Sequence, residues 1–164
     1  MRRFLPLLAL ALGACALPIT IGLPDQTLDI PSLLHTGDLV LYPKDPLTFN
    51  RPPVDVVQSV EVRGRAVANQ PLNATLEVYG RVQSPPCGLD PSGSFYLCPK
   101  DQEERLGELA FNGTSQTSFT LQGQALTQGV KEGRLWLGVG VQGLPAGGVR
   151  LELKDMQATL RTGF

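Results

Sequence analysis

Apolar and polar residues alternate along two runs of the chain that follow residue 53. The apolar positions of these runs are Val56, Val60, Val62 and Ala66, and then Ala74, Leu76, Val78 and Val82. Successive side chains of a β-strand point to opposite faces, so this period of two predicts two strands with one buried face each. Gln70-Pro71-Leu72-Asn73 separates the runs with turn-forming residues, and we expect the two strands to form an antiparallel pair.

Four more strand patterns follow. Leu109 and Phe111 begin one that stops at Asn112-Gly113, a strong turn signal. The apolar faces of the next two consist of Phe119, Leu121 and Ala125, and of Leu135, Leu137, Val139 and Val141. In the last strand, apolar residues occupy odd positions from Val149 and even positions from Met156. One extra residue near Lys154-Asp155 restores the register, which predicts a β-bulge.

Residues 16–53 are interrupted by seven prolines. Proline lacks the backbone N–H donor, so we expect neither a regular helix nor a central strand here. A proline-rich segment of this kind is typical of a semi-rigid spacer. The first ten or so of these residues are therefore interpreted as a tether. Two short apolar stretches, residues 27–30 and 38–42, are predicted to be strands along the edge of the following domain.

The composition agrees with a fold built from strands and tight turns. The 164 residues include 18 Gly and 14 Pro, and 18% are charged. No long stripe of helical period follows Cys15, so we predict an all-β fold, an antiparallel two-sheet β-sandwich similar in pattern to jelly-roll domains. The expected organisation is a signal peptide at 1–14, a tether at 15–53 and the sandwich at 54–164. The net charge of −1, without a Lys/Arg cluster, argues against a nucleic-acid partner.

The first fifteen residues combine a basic start, a short apolar run and a cysteine. Arg2 and Arg3 precede the apolar run, which ends at Leu12-Gly13-Ala14-Cys15. The run is shorter than the roughly 20 apolar residues of a membrane-spanning helix, so it predicts an export signal. Its last four residues resemble the lipobox of bacterial lipoproteins.

That resemblance implies cleavage before Cys15, a thioether-linked diacylglycerol on its sulfur and an acyl chain on the new N-terminus. Two or more acyl chains anchor a protein stably, whereas a single chain gives marginal binding. The resemblance thus implies a cell-envelope protein, periplasmic or surface-facing, with the membrane as a partner through acylated Cys15. The alternative is an ordinary secretory signal that happens to contain a cysteine.

The two remaining cysteines, Cys87 and Cys98, bracket a stretch rich in turn residues. An oxidising envelope compartment permits a disulfide between them. A metal site would need more ligands, and thioredoxin-like chemistry a Cys-x-x-Cys spacing. We therefore predict a structural disulfide.

Candidate catalytic and metal-binding residues are few. His35 is the single histidine, and a Ser-His-Asp triad or a zinc site would have to use it. The neighbours Glu103 and Glu104 fall in the charged stretch of residues 100–105, which we interpret as a solvated loop, with a single helical turn as the alternative. Asp155 at the predicted bulge is a weak calcium candidate, without a run of acidic residues at ligand spacing. No cofactor is predicted.

Trp136, Gly138 and Gly140 share the side of their strand opposite to the apolar face, and Tyr79 also points outward in its own strand. An exposed ring beside glycines is a surface on which sugars stack, so these four residues form a possible ligand face. In the alternative, the N-terminal segment or the cysteine loop covers them and Trp136 belongs to a second small core.

The sequence therefore predicts a lipid-anchored, non-catalytic envelope protein that docks with other envelope components. The alternative is a carbohydrate-binding module for cell-wall polysaccharide that uses the face around Trp136. A hydrolase built on His35 and several carboxylates ranks last.

Overall fold

The computed structural model describes residues 18–31, 38–53, 56–145 and 147–162. Within these ranges the chain forms ten strands, one α-helix and one short 3₁₀ turn. The elements are β1 Ile19–Gly22, β2 Gln26–Ile30, β3 Leu39–Pro43, β4 Leu47–Thr48, β5 Ser59–Arg81, β6 Gly88–Leu89, β7 Phe95–Pro99, the turn Lys100–Gln102, β8 Glu104–Gln122, α1 Gln124–Glu132, β9 Arg134–Gly140 and β10 Val149–Arg161. Every strand pairing is antiparallel, which confirms the predicted all-β class.

The long strand β5 organises the sheet. Along one edge it pairs with β8 over almost its whole length. Along the other edge its first half pairs with β10 and its last residues pair with β9. The strands follow one hydrogen-bonded path, β1-β10-β5-β9-β3-β7-β6, with β8 on β5, β2 on β10 and β4 on β9. The division into two sheets packed face to face stays a prediction.

The predicted hairpin between residues 54–66 and 74–83 is wrong, because both runs belong to the single strand β5. The register with β8 jumps from Val67, opposite Gln116, to Leu72, opposite Thr114. Pro71 lies in this interruption, where its missing N–H breaks no ladder bond. Val56, placed on the inner face of the first run, lies before β5 and is exposed.

Asn112-Gly113 is likewise not a turn but a bulge inside β8. Asn112 lies opposite Asn73 and Thr114 opposite Leu72, so Gly113 is the extra residue. Gly113 has φ +72°, a left-handed conformation that glycine adopts without strain. The bulge predicted in the last strand is confirmed, because the register of β10 against β5 shifts between Lys154 and Gln157.

The helix α1 was not predicted. Ala125, assigned to the inner face of a strand, lies in this helix, whose buried side carries Leu126, Gly129 and Val130. It ends at Gly133 in the left-handed conformation (φ 71°), a common helix terminator. Among the described residues, no helix has the length and apolar character needed to span a membrane.

The N-terminal segment takes a larger part in the fold than a tether with edge strands. Ile19–Gly22, expected in the tether, form β1 on the edge of β10. The strand expected at residues 27–30 is β2, also on β10. The strand expected at residues 38–42 is β3, which lies between β9 and β7 rather than at an edge.

Among the described residues, two apolar clusters hold the fold together. The main core takes side chains from most strands and from α1. A buried amide joins β2 to β9, since Gln26 Nε2 donates to the Leu137 carbonyl at 3.0 Å. The second, smaller cluster consists of Val40, Tyr42, Tyr79, Cys98 and Trp136, with Cys87 and Tyr96 packed against it.

Candidate functional site

The aromatic face predicted around Trp136 is covered. Trp136 is 6% exposed and Tyr79 is 3% exposed, and both belong to the second cluster. The possible exposed ligand face is therefore absent at these residues, because β3 and the disulfide-linked strand β7 supply side chains that pack against them. The alternative stated with it is confirmed in that Trp136 belongs to a second small core, but β3 and β7 lie beside β9 in the same sheet rather than folding over it.

Gly138 and Gly140 lie in different surroundings on this face. A Cβ at Gly138 would approach the Tyr42 ring to 2.6 Å and a Val40 methyl to 2.7 Å. A Cβ at Gly140 would meet the Glu77 carbonyl and Tyr79 at 3.6 Å, an ordinary contact distance. The absence of a side chain at Gly138 thus makes room for Tyr42, as glycines in strands often do for a close neighbour.

A buried polar network lies at the rim of the second cluster. The Tyr42 hydroxyl donates to Glu103 Oε2 at 2.7 Å, and Arg81 forms an ion pair with Glu103 Oε1. The Glu103 side chain is only 2% exposed. Burial, and then the hydrogen bond to Glu103, raise the pKa of Tyr42 far above its usual value, so its hydroxyl keeps the proton it donates.

The interpretation of Glu103 and Glu104 as a solvated loop is therefore wrong. Glu103 is held by Tyr42 and Arg81, and Glu104 begins β8. The Glu104 carboxylate accepts hydrogen bonds from the backbone N–H groups of Gln124, at 2.5 Å, and Ala125, at 2.9 Å. It thereby satisfies two of the free N–H groups at the start of α1, where Gly123 offers no side chain.

Cys87 and Cys98 are joined by a disulfide, with Cα atoms 5.2 Å apart. The bond closes a hairpin in which β6 pairs with β7. Among the described residues, the two Sγ atoms of Cys87 and Cys98 and a carboxylate oxygen of Glu103 all lie within 4.8 Å of one another. By distance alone, these three atoms could hold a metal ion. The disulfide removes both thiolates that a metal would need, so this arrangement suits a structural bridge.

Asp90 shapes the turn of this hairpin. Its Oδ1 accepts from the N–H groups of Ser94 and Phe95 at 2.9 and 2.8 Å, and its Oδ2 accepts from the Ser92 N–H at 3.0 Å. Burial disfavours the charged carboxylate, but the Ser92 hydroxyl and these N–H groups outweigh it and lower the pKa of Asp90.

A second carboxylate, Glu77, lies at the surface next to the second cluster. It pairs with Lys100 and accepts from the Tyr79 hydroxyl at 2.9 Å. The hydrogen bond from Lys100 is the main cause that lowers the pKa of Glu77. The same hydrogen bond raises the pKa of Lys100. Burial and the bond to Glu77 raise the pKa of Tyr79.

The weak calcium candidate Asp155 lies at the β10 bulge with φ 53°. Its carboxylate accepts two hydrogen bonds from Arg65, at 2.5 and 2.9 Å. The described residues form no group of three His, Cys, Asp or Glu side chains around it. Its contacts are those of a surface ion pair. The predicted lipidation site Cys15 and the histidine His35 lie outside the described residues.

A groove of about 790 Å³ with both polar and apolar lining, which the alternation of the sequence did not reveal, lies where α1 begins. We call it the amide groove. Its lining includes the polar residues Gln58, Ser59, Glu61, Gln122, Gln124, Gln128 and Arg161 and the apolar residues Val60 and Ala125. Thr127 fixes α1 beside β5, because its Oγ1 accepts from the Val60 N–H at 3.2 Å and donates to the Gly123 carbonyl at 3.0 Å. Neutral amides and hydroxyls give this groove both donors and acceptors.

The outer edge of β8 is a second surface with binding character. Among the described strands, β8 pairs with β5 alone. Its second half, residues 114–122, contains neither a charged residue nor a proline. Natural proteins usually protect such an edge, because its unpaired N–H and C=O groups can pair with another strand.

A scan against protein-family models, a search of curated proteins and a search of solved structures each find no match for this chain.

Proposed function

We propose that this protein is a lipid-anchored, non-catalytic component of a bacterial cell envelope that docks with another envelope protein. The observation that carries the proposal is the N-terminal order of Arg2-Arg3, a short apolar run and Leu12-Gly13-Ala14-Cys15. An acylated Cys15 would hold the folded domain on a membrane, because several acyl chains give stable anchoring. The disulfide between Cys87 and Cys98 agrees with an oxidising compartment.

The edge of β8 supports the docking part of the proposal. An extended segment of a partner protein can add a strand to such an edge, and its main-chain hydrogen bonds then supply the affinity. Residues 114–122 offer this edge without the charges or prolines that would oppose pairing. The partner we propose is therefore a protein with an extended segment. The covered rings around Trp136 give no comparable support to the carbohydrate alternative.

The anchor is tested by expressing the chain in a bacterium fed with a labelled fatty acid and partitioning the cell extract with detergent. We expect the wild-type chain to carry the label and to enter the detergent-rich phase. Cys15→Ser should lose both properties, whereas the matched control Ala16→Ser, which places serine beside an intact cysteine, should keep them. Retention of label by Cys15→Ser, or its absence from wild type, would refute the anchor.

Docking at the β8 edge is tested with a photo-crosslinking amino acid at Ser118, which is exposed on this edge. We expect one discrete adduct in cells, and its loss when Gln116→Lys is added, since an edge lysine opposes strand addition. The same photo-crosslinking residue at Thr75, exposed on the neighbouring strand β5, is the control and should give no adduct. Equal adducts at both positions would contradict docking at this edge.

A further inference from the structure

One end of the domain is formed where β1 and β5 begin and β10 ends. Ile19, the first residue of β1, pairs with Leu160 near the end of β10. Arg161 pairs with Ser59, the first residue of β5. We call this end, with the amide groove that Ser59 and Arg161 line, the anchor pole.

The chain between Cys15 and this pole is short. Only three residues, Ala16, Leu17 and Pro18, separate Cys15 from Ile19, so the Cα atoms of Cys15 and Ile19 lie at most about 14 Å apart even when the chain is fully extended. The headgroup region of one leaflet is itself about 5–8 Å thick. A diacylglycerol on Cys15 would therefore hold the anchor pole against the lipid headgroups rather than at the end of a long tether.

We infer that the anchor pole rests on the bilayer that holds Cys15, with the amide groove facing phospholipid headgroups. This inference rests on the proposed lipidation of Cys15. The orientation follows from where β1 begins, since no long linker would allow the domain to turn another end toward the membrane. The predicted domain boundary, with a tether of about ten residues, would have allowed such rotation.

The chemistry of the pole suits a headgroup surface. Val56 is 60% exposed and lies two residues before Gln58, whose N–H donates to the Arg161 carbonyl at 2.9 Å. At the anchor pole, an exposed valine can enter the membrane–water interface, and Arg161 can bind lipid phosphates. The amides of Gln58 and Gln124 can donate to phosphate and ester oxygens, whereas those of Gln122 and Gln128 already donate to Glu61 and Glu132.

The same orientation places the opposite end of the domain away from the membrane. The 13 residues of β10 span about 40 Å from the pole to Val149, at about 3.3 Å per residue. The β8 edge, which ends at Gln122 in the amide groove, would then run from the membrane surface outward. A partner strand could reach it from the side.

The test uses the lipoprotein purified from membranes and reconstituted into phosphatidylethanolamine–phosphatidylglycerol vesicles that contain a headgroup spin-labelled phospholipid. A tryptophan introduced at one position in each variant reports its distance from the headgroups through quenching. The variants are Val56→Trp at the pole, Gly22→Trp about 10 Å along β1 from Ile19, and Gly147→Trp near the far end. A Cβ at Gly22 or Gly147 meets nothing within 4 Å, and the buried Trp136 gives the same background in all variants.

We expect the spin label to quench Val56→Trp most, Gly22→Trp less, and Gly147→Trp no more than the unsubstituted protein. Gln124→Trp, exposed in the groove, repeats the measurement at the pole should Val56→Trp fold poorly. Equal quenching at all positions, the reverse order, or quenching at neither pole position would overturn the orientation. In the last case the groove would be free for another occupant, such as a protein segment.

The mass of the purified chain separates this result from the proposed function. A chain that carries the lipid on Cys15 but shows the wrong quenching order refutes the orientation alone. A chain without the lipid refutes the proposed anchor and the orientation with it.

Discussion

Replacing Gly138 with alanine should destabilise the protein, whereas the same change at Gly140 should not. The two glycines lie two residues apart on the same face of β9. The added methyl at Gly138 would come within 2.6 Å of the Tyr42 ring and 2.7 Å of Val40, both fully buried. At Gly140 the methyl would lie 3.6 Å from its nearest neighbours.

The expected difference follows from packing. An additional methyl group in a filled core typically costs about 1–3 kcal/mol, because neighbours must leave their rotamers or move the backbone. Tyr42 has little freedom to move, since its hydroxyl is held by Glu103. We therefore expect Gly138→Ala to lower the free energy of unfolding by about 2–3 kcal/mol. Gly140→Ala should change it by about 0.5 kcal/mol or less, as at a site with room for the methyl.

Urea unfolding followed by Trp136 fluorescence measures both values, and the midpoints should differ while the slopes agree. An open ligand face would tolerate the two alanines equally. Equal stability of the two variants would therefore refute the claim that Tyr42 packs on Gly138 and closes this face.

Three further predictions concern the same region. Tyr42→Phe should cost about 1.5–3 kcal/mol in urea unfolding, because a buried hydrogen bond to the charged Glu103 is lost; an effect no larger than that of Tyr79→Phe, whose acceptor carboxylate is partly exposed, would speak against it. Reduction of the disulfide, whose cysteines are 11 residues apart, should lower stability by about 3 kcal/mol; an unchanged midpoint in reductant would show that the bridge does not constrain the unfolded chain. Because the pKa of Asp90 is lowered on folding, its stabilising effect is present above the unfolded pKa near 3.8 and is lost as the pH falls through the folded pKa. The stability gap between wild type and Asp90→Asn should thus narrow below about pH 4, and a gap independent of pH would contradict the charge effect.

The alternation of apolar and polar residues predicted β9 and β10 correctly. The inner face of β9, from Leu135 to Val139, and the bulge of β10 at Lys154–Asp155 were both predicted from parity alone. In these strands, burial on one face and the period of two agree, so the pattern is unambiguous.

Turn signals failed where a bulge produced the same residues as a turn. Pro71 and Asn112-Gly113 each interrupt the β5–β8 ladder, and each was interpreted as the end of a strand. A local window cannot distinguish a reversal of the chain from an extra residue in a continuing strand. The difference depends on the partner strand some forty residues away.

The helix and the buried carboxylate were missed for a related reason. The start of α1 is capped by Glu104, about 20 residues earlier, rather than by a nearby Ser, Thr, Asp or Asn. Glu103 stands in a charged stretch and is buried only because Tyr42 and Arg81 reach it. Likewise, the alternation places Trp136 and Gly138 on one face of β9, but it does not show that the neighbouring strand β3 brings the Tyr42 ring onto that face.

The most direct test of the central claim is the mass of the N-terminal peptide of the protein purified from bacterial membranes. The account predicts a chain that begins at Cys15 and carries a diacylglycerol on its sulfur. A chain that begins at another residue, or an unmodified thiol at Cys15, would contradict the anchor and with it the orientation proposed for the domain.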